Sequence, residues 1–141
     1  MKKIVIFVFF SMMFLSCESN ISSEEELSSS KYQKALSLAK ESSKLVMLKL
    51  TSEDCHFCKK MDREVLADKE VSSFFDKKFI LVDIDVKKEK LPLGLNYKVT
   101  PTFIFIDRDE KVVYKIQGSW NKKDFMELLE MVLKKAEGVK R

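Results

Sequence analysis

Glycine and proline are scarce, with three and two residues in a chain of 141. No glycine-rich segment of the RNA-binding kind is present. Long runs of one charge are absent as well. The 26 basic and 22 acidic residues alternate and leave a formal charge of +4. Such lysines read as a solvated surface, and no nucleic-acid partner is expected. No apolar run reaches the roughly 20 residues that a membrane-spanning helix needs. There is one histidine, His56, and there are three cysteines, Cys17, Cys55 and Cys58. A structural zinc site takes four ligands. Cys55, Cys58 and His56 make at most three, so structural zinc is excluded and no metal is expected. Haem attachment needs a histidine directly after a C-x-x-C pair, and Lys59 stands there. Two or three cysteines cannot staple a disulfide framework. No internal repeat is visible. Apolar content of 45% and charged content of 34% are ordinary for one globular domain.

The N-terminus reads as a targeting segment. "MKK" is a short basic region, and "IVIFVFFSMMFL" (residues 4–15) is the apolar core of a signal peptide. "FLSC" ends it and resembles the bacterial lipoprotein lipobox. The resemblance implies cleavage after residue 16 and acylation of Cys17. Phe14 departs from the usual leucine three residues before the cysteine. A plain secretory signal, with Cys17 lost or free, is the alternative. Either way the chain is exported. Loss of Lys2 and Lys3 takes the formal charge from +4 to +2. Acylation of Cys17 would also leave the other two cysteines as a pair, in a compartment where thiols are oxidised or managed.

Three segments follow from this: a signal peptide at 1–16, an acylated cysteine with a Ser/Glu-rich flexible tether at 17–30, and a folded domain at 31–141. A tether of that length would hold the domain about 20 Å from its anchor. From Lys31 onward, Tyr32, Ala35, Leu36 and Ala39 recur at helical spacing. "KLVMLKL" (44–50) has the nearly continuous apolar character of a strand covered on both faces. After Cys58, Met61, Val65 and Leu66 fall on one helical face. Asp68 can cap a further short helix. "FILVDIDV" and "TFIFID" are strands, and the second forms a hairpin with "KVVYKIQG" across "RDE". Asn121 caps a last helix with the stripe Phe125, Leu128, Leu129 and Val132. This order predicts an α/β fold with a mixed central sheet and helices on both faces.

Cys55 and Cys58 lie where the first strand gives way to a helix. A thiolate, not a thiol, attacks a disulfide, and a free cysteine with a pKa near 8.5 is only slightly ionised at neutral pH. A helix N-terminus lowers that value. Cys55 would attack and Cys58, one turn further in and more buried, would resolve the mixed disulfide. His56 and Phe57 fill the turn between them. A protonated His56 would favour the thiolate, as would Lys59 and Lys60, while Glu53 and Asp54 oppose it. Copper(I) held by the two thiolates stays open as a second reading.

"LVMLKLTSEDCHFCKKM", "NYKVTPTFIFID" and "EKVVYKIQGSW", in that order, resemble the thioredoxin-fold superfamily over Lys31 to about Lys135. The version here is similar to periplasmic and lipoprotein thioredoxin-like proteins. The resemblance implies that Cys55 is the nucleophile and Cys58 the resolving thiol. It implies a cis bond before Pro101, with Thr100 presenting its backbone to a substrate peptide. It implies no cofactor beyond the Cys55–Cys58 disulfide itself. The implied function is an extracytoplasmic thiol–disulfide oxidoreductase, read as a reductase. An oxidase, an isomerase and a copper(I)-carrying module are the alternatives. Expected partners are exported cysteine-containing proteins, a membrane or periplasmic electron donor, and the membrane through the lipid anchor. A monomer on the periplasmic side of the envelope is expected.

Two departures stand out. An aromatic usually precedes the first cysteine, and Asp54 stands there instead. Many members carry a buried acid six residues before that cysteine, and this chain has Lys49. Lys49 is expected to snorkel to the sheet edge; a buried Lys49 would instead favour the Cys58 thiolate.

Overall fold

The computed structural model describes residues 23–138. Helix α1 (Ser23–Ser42) leads into strand β1 (Leu45–Thr51). Helix α2 (His56–Met61) continues into one π-helical segment, Asp62–Leu66. Helix α3 (Lys69–Lys78) runs directly into β2 (Phe79–Asp85). A short 3₁₀ turn (Pro92–Gly94) precedes the hairpin of β3 (Thr102–Ile106) and β4 (Val112–Gln117), and α4 (Lys122–Gly138) closes the domain. The strand order is β2-β1-β3-β4. β1 pairs with β2 in parallel and with β3 antiparallel, and β3 pairs antiparallel with β4. The sheet is therefore mixed, and β1 and β3 are its interior strands.

The apolar run of β1 explains the two cores. Alternate side chains of a strand point to opposite faces. Leu45 and Met47 join Phe103, Phe105, Phe125, Leu129 and Val132 on the face covered by α2, α3 and α4. Val46, Leu48 and Leu50 join Tyr32, Leu36, Ala39, Ile104 and Ile106 under α1. Lys49 is the one charged residue in the series.

Two helix starts are set by side chains read from the sequence. The Asp68 carboxylate accepts from the Glu70 and Val71 amides at the head of α3. Asn121 accepts from the Asp124 amide at 2.9 Å and donates back to the Asp124 carboxylate, a reciprocal cap on α4.

The flexible tether is expected to run to Ser30, but residues 23–30 of that segment are helical. α1 begins at Ser23 rather than Lys31. The physical reason is that Ser28 continues the buried stripe of Tyr32, Ala35, Leu36 and Ala39 one turn back. It is 1% exposed, and its hydroxyl donates to the Lys90 carbonyl. Lys31 adds an ion pair to Glu89 at 2.8 Å. The signal peptide at 1–16 and Cys17 lie outside the described residues.

Candidate redox site

The Cys55–Cys58 turn sits beyond the C-terminal end of β1. The Cys55 amide donates to the Ser52 carbonyl, which closes the loop Ser52–Cys55 and starts the helix. Cys55 itself caps α2. Its sulfur accepts from the Cys58 amide at 3.1 Å, and its carbonyl accepts from Cys58 and Lys59. The two cysteines form a disulfide, with Cα atoms 5.2 Å apart. Cys55 is 8% exposed and Cys58 2%. His56 and Phe57 point outward, and Phe57 is 59% exposed.

The peptide bond Thr100–Pro101 is cis. Register places it at the same end of the sheet as Cys55. Thr102 pairs with Leu50, so Pro101 stands beside the strand end that leads into the cysteine loop. Two bonds hold this turn. The Thr102 hydroxyl donates to the Val99 carbonyl, and the Gly118 amide donates to the Pro101 carbonyl at 2.8 Å. Gly118 has φ +85°, a conformation that a side chain would strain. Tyr97 and Val99, on the approach to the proline, are exposed apolar residues. A cleft of about 320 Å³ opens beside Phe57, lined also by Lys60, Glu64, Val65 and Trp120. Sequence reasoning passed over Trp120 and Tyr97. Only their nearness to Gly118 and Pro101 could have marked them.

The charges around the turn are paired. Asp54 binds Lys87 and Glu53 binds Lys88, each at 3.0 Å. The hydrogen bond and charge of Lys87 hold the Asp54 carboxyl below its ordinary pKa. Asp54 therefore stays ionised at neutral pH, with its charge met by the Lys87 ammonium.

Lys49 does not snorkel to the sheet edge. β1 is an interior strand, and the Lys49 side chain is 8% exposed. Its ammonium is held between Asp62 at 2.6 Å and Asp83 at 2.7 Å. Asp83 is its register partner on β2, and Asp62 opens the π-helical segment four residues after Cys58. Burial alone would depress the ammonium. Hydrogen bonds and attraction from Asp62 and Asp83 outweigh that, and the pKa is raised above 10.5. The partners were not foreseen, although an aspartate inside the apolar strand "FILVDIDV" was a signal. Lys49→Met should cost about 1–3 kcal/mol, a buried-pair loss discounted because both aspartates are half exposed. A group whose folded pKa is raised stabilises below its unfolded pKa and stops doing so above its folded one. The gap between wild type and variant should therefore be full at pH 7 to 9 and shrink above pH 10.5. Urea melts at three pH values check this; a gap that is flat with pH would show that the charge plays no part.

Among the described residues, no group of three or more His, Cys, Asp or Glu side chains converges on a possible metal position. Nor is any described helix long and apolar enough to cross a membrane.

The sequence matches the model of the thioredoxin-like domain family over residues 32–133. No curated protein matches it. Among solved structures, a thioredoxin from Thermus thermophilus is 29% identical with a TM-score of 0.62, over 72% of this chain and 83% of that one. A disulphide isomerase from Xylella fastidiosa is 25% identical with a TM-score of 0.55, over 62% and 72%. The oxidised C-terminal domain of DsbD from Neisseria meningitidis, at 20% identity and a TM-score of 0.56, over 73% and 93%, shares the fold.

Proposed function

The chain belongs to the thioredoxin-like domain family, and from that premise we propose that it is an exported, lipid-anchored thiol–disulfide oxidoreductase that works as a reductase. The observation that carries the reading is the Cys55–Cys58 pair at the junction of β1 and α2, at the same end of the sheet as the cis Thr100–Pro101 bond.

In the reduced protein the Cys55 thiolate attacks one sulfur of a substrate disulfide. A mixed disulfide forms and the first substrate thiolate leaves. Cys58 then attacks the Cys55 sulfur and releases the second substrate thiolate. Two electrons pass to the substrate, and the protein is left as the Cys55–Cys58 disulfide. A dithiol donor must then restore it. Thr100, next to the cis bond, presents its backbone to the substrate chain; Phe57, Tyr97 and Val99 supply apolar contact.

The direction rests on how lightly the Cys55 thiolate is supported. In the disulfide form its sulfur accepts from the Cys58 amide. Asp54, directly before it, is ionised, is taken up by Lys87 and offers the sulfur no hydrogen-bond donor. A thiolate with little support favours the disulfide and makes the dithiol a good electron donor. The lipobox-like "FLSC" supports export and anchoring at Cys17 on the periplasmic side.

Reduced protein should catalyse reduction of insulin disulfides by dithiothreitol, well above the rate with dithiothreitol alone. Tight copper(I) binding with no effect on insulin would make the chain a metal carrier instead and overturn this reading.

A further inference from the structure

The two ends of the domain differ in what they carry. One end holds the Cys55–Cys58 turn, the Thr100–Pro101 turn, Gly118 and Trp120. The other holds Ser43, which accepts from the Arg108 guanidinium, and the β3–β4 turn. The seven residues of β1 separate them by about 23 Å.

The polarity of α1 decides which end meets the N-terminal segment. α1 finishes at Ser42, at the far end. Its twenty residues span about 30 Å, more than the sheet is long. Its earlier turns are fixed at the redox end. Ser28 binds the Lys90 carbonyl and Lys31 binds Glu89. The same 87–90 loop is joined to the cysteine turn through Lys87–Asp54 and Lys88–Glu53. The chain therefore enters the domain at the redox end, on the sheet face opposite α2. Only six residue steps separate Cys17 from Ser23, a reach of about 20 Å at full extension.

The exposed surface agrees with this placement. Of the eight large apolar residues exposed among the described residues, Leu27, Phe57, Leu93, Tyr97 and Val99 lie on elements at the redox end, and Leu38, Leu81 and Val112 do not. Lys59 and Lys98 are exposed there too, and the exposed acids Glu53 and Asp54 are each paired with a lysine of the 87–90 loop. Apolar side chains with lysines among them suit the interfacial zone of a bilayer with anionic lipid.

We propose that the acylated protein stands with its redox end toward the bilayer, and that the disulfide it reduces is presented at the membrane surface. This rests on the anchored reading above. A short leash holds the turn within reach of such a disulfide and turns it away from bulk solvent. The electrons and protons balance as in the reductase cycle, with the membrane-borne disulfide as acceptor.

Trp120 is the only tryptophan and lies at the redox end. It can report the orientation. The full chain, acylated at Cys17, is placed in phosphatidylethanolamine/phosphatidylglycerol vesicles that carry nitroxide-labelled headgroups. A second protein combines Trp120→Phe with Arg108→Trp and reports from the far end; circular dichroism checks its fold. Quenching should be at least twofold stronger for native Trp120. Equal quenching, or stronger quenching from the far end, overturns the inference while the anchor stands. Quenching of neither in protein that floats with the vesicles means that the redox end stands clear and serves soluble proteins, which also overturns it. A chain with no acyl mass increase over Cys17→Ala overturns the anchored reading, and this inference with it.

Discussion

Cys55→Ser will abolish disulfide reduction, and Cys58→Ser will leave the protein covalently joined to its substrates. The two results follow from the different positions of the sulfurs. Cys55 caps α2 at the loop end, with His56 and Phe57 exposed beside it. It is the sulfur an incoming disulfide meets. A serine hydroxyl at that position is not ionised at neutral pH, so turnover should fall by about 10³-fold or more, the scale seen when a catalytic nucleophile is removed. Cys58 is 2% exposed and cannot start the exchange. It acts only after a mixed disulfide on Cys55 has formed. Without it, that intermediate has no internal exit. Non-reducing gels of cell-envelope extracts should show adducts with Cys58→Ser that reductant releases, and none with Cys55→Ser. Adducts on both variants, or on neither, would break the assignment of roles.

Phe103→Ala is expected to have the largest effect on folding. Phe103 is fully buried on β3, two residues after the cis proline, and its ring packs 5.3 Å from that of Phe125 on α4. Its register partners are Lys49 on β1 and Ile116 on β4. Losing the ring leaves a cavity between sheet and helix that the paired strands cannot close. Such truncations cost about 3–5 kcal/mol, against a total stability of roughly 5–15 kcal/mol for a domain. The melting temperature should drop by about 10 °C or more. Reduced insulin turnover at 37 °C should follow from loss of folded protein, and should recover on cooling. A loss below about 1 kcal/mol in urea melts would show that the core around Phe103 tolerates collapse.

The parts of the fold legible in the sequence are those with a local signature. The nearly continuous apolar run within 44–50, interrupted by Lys49, marks β1 as a strand covered on both faces. Asp68 and Asn121 mark helix starts because their side chains satisfy amides that the helix cannot. C-x-x-C after a strand marks the redox turn, and the likeness around Pro101 supplies its second half. What was not legible depended on distant partners. Ser28 looks like part of a polar tether until the Lys90 carbonyl, 62 residues on, is seen above it. Lys49 looks like an edge residue until the strand order places β2 beside β1 and brings Asp83 to its ammonium. The π-helical segment at Asp62–Leu66 has no period of its own in "DREVL". It matters because its first residue, Asp62, is the other partner of Lys49.

The central claim is that the Cys55–Cys58 pair works as an electron donor, and its reduction potential tests that most directly. Equilibration with glutathione or dithiothreitol buffers, read by alkylation and mass, gives the value. Thioredoxin lies near about −270 mV and the strong oxidant DsbA near about −120 mV. The account predicts a potential below about −220 mV, on the reducing side of that range. A value near about −120 mV would make the protein an oxidant and contradict it.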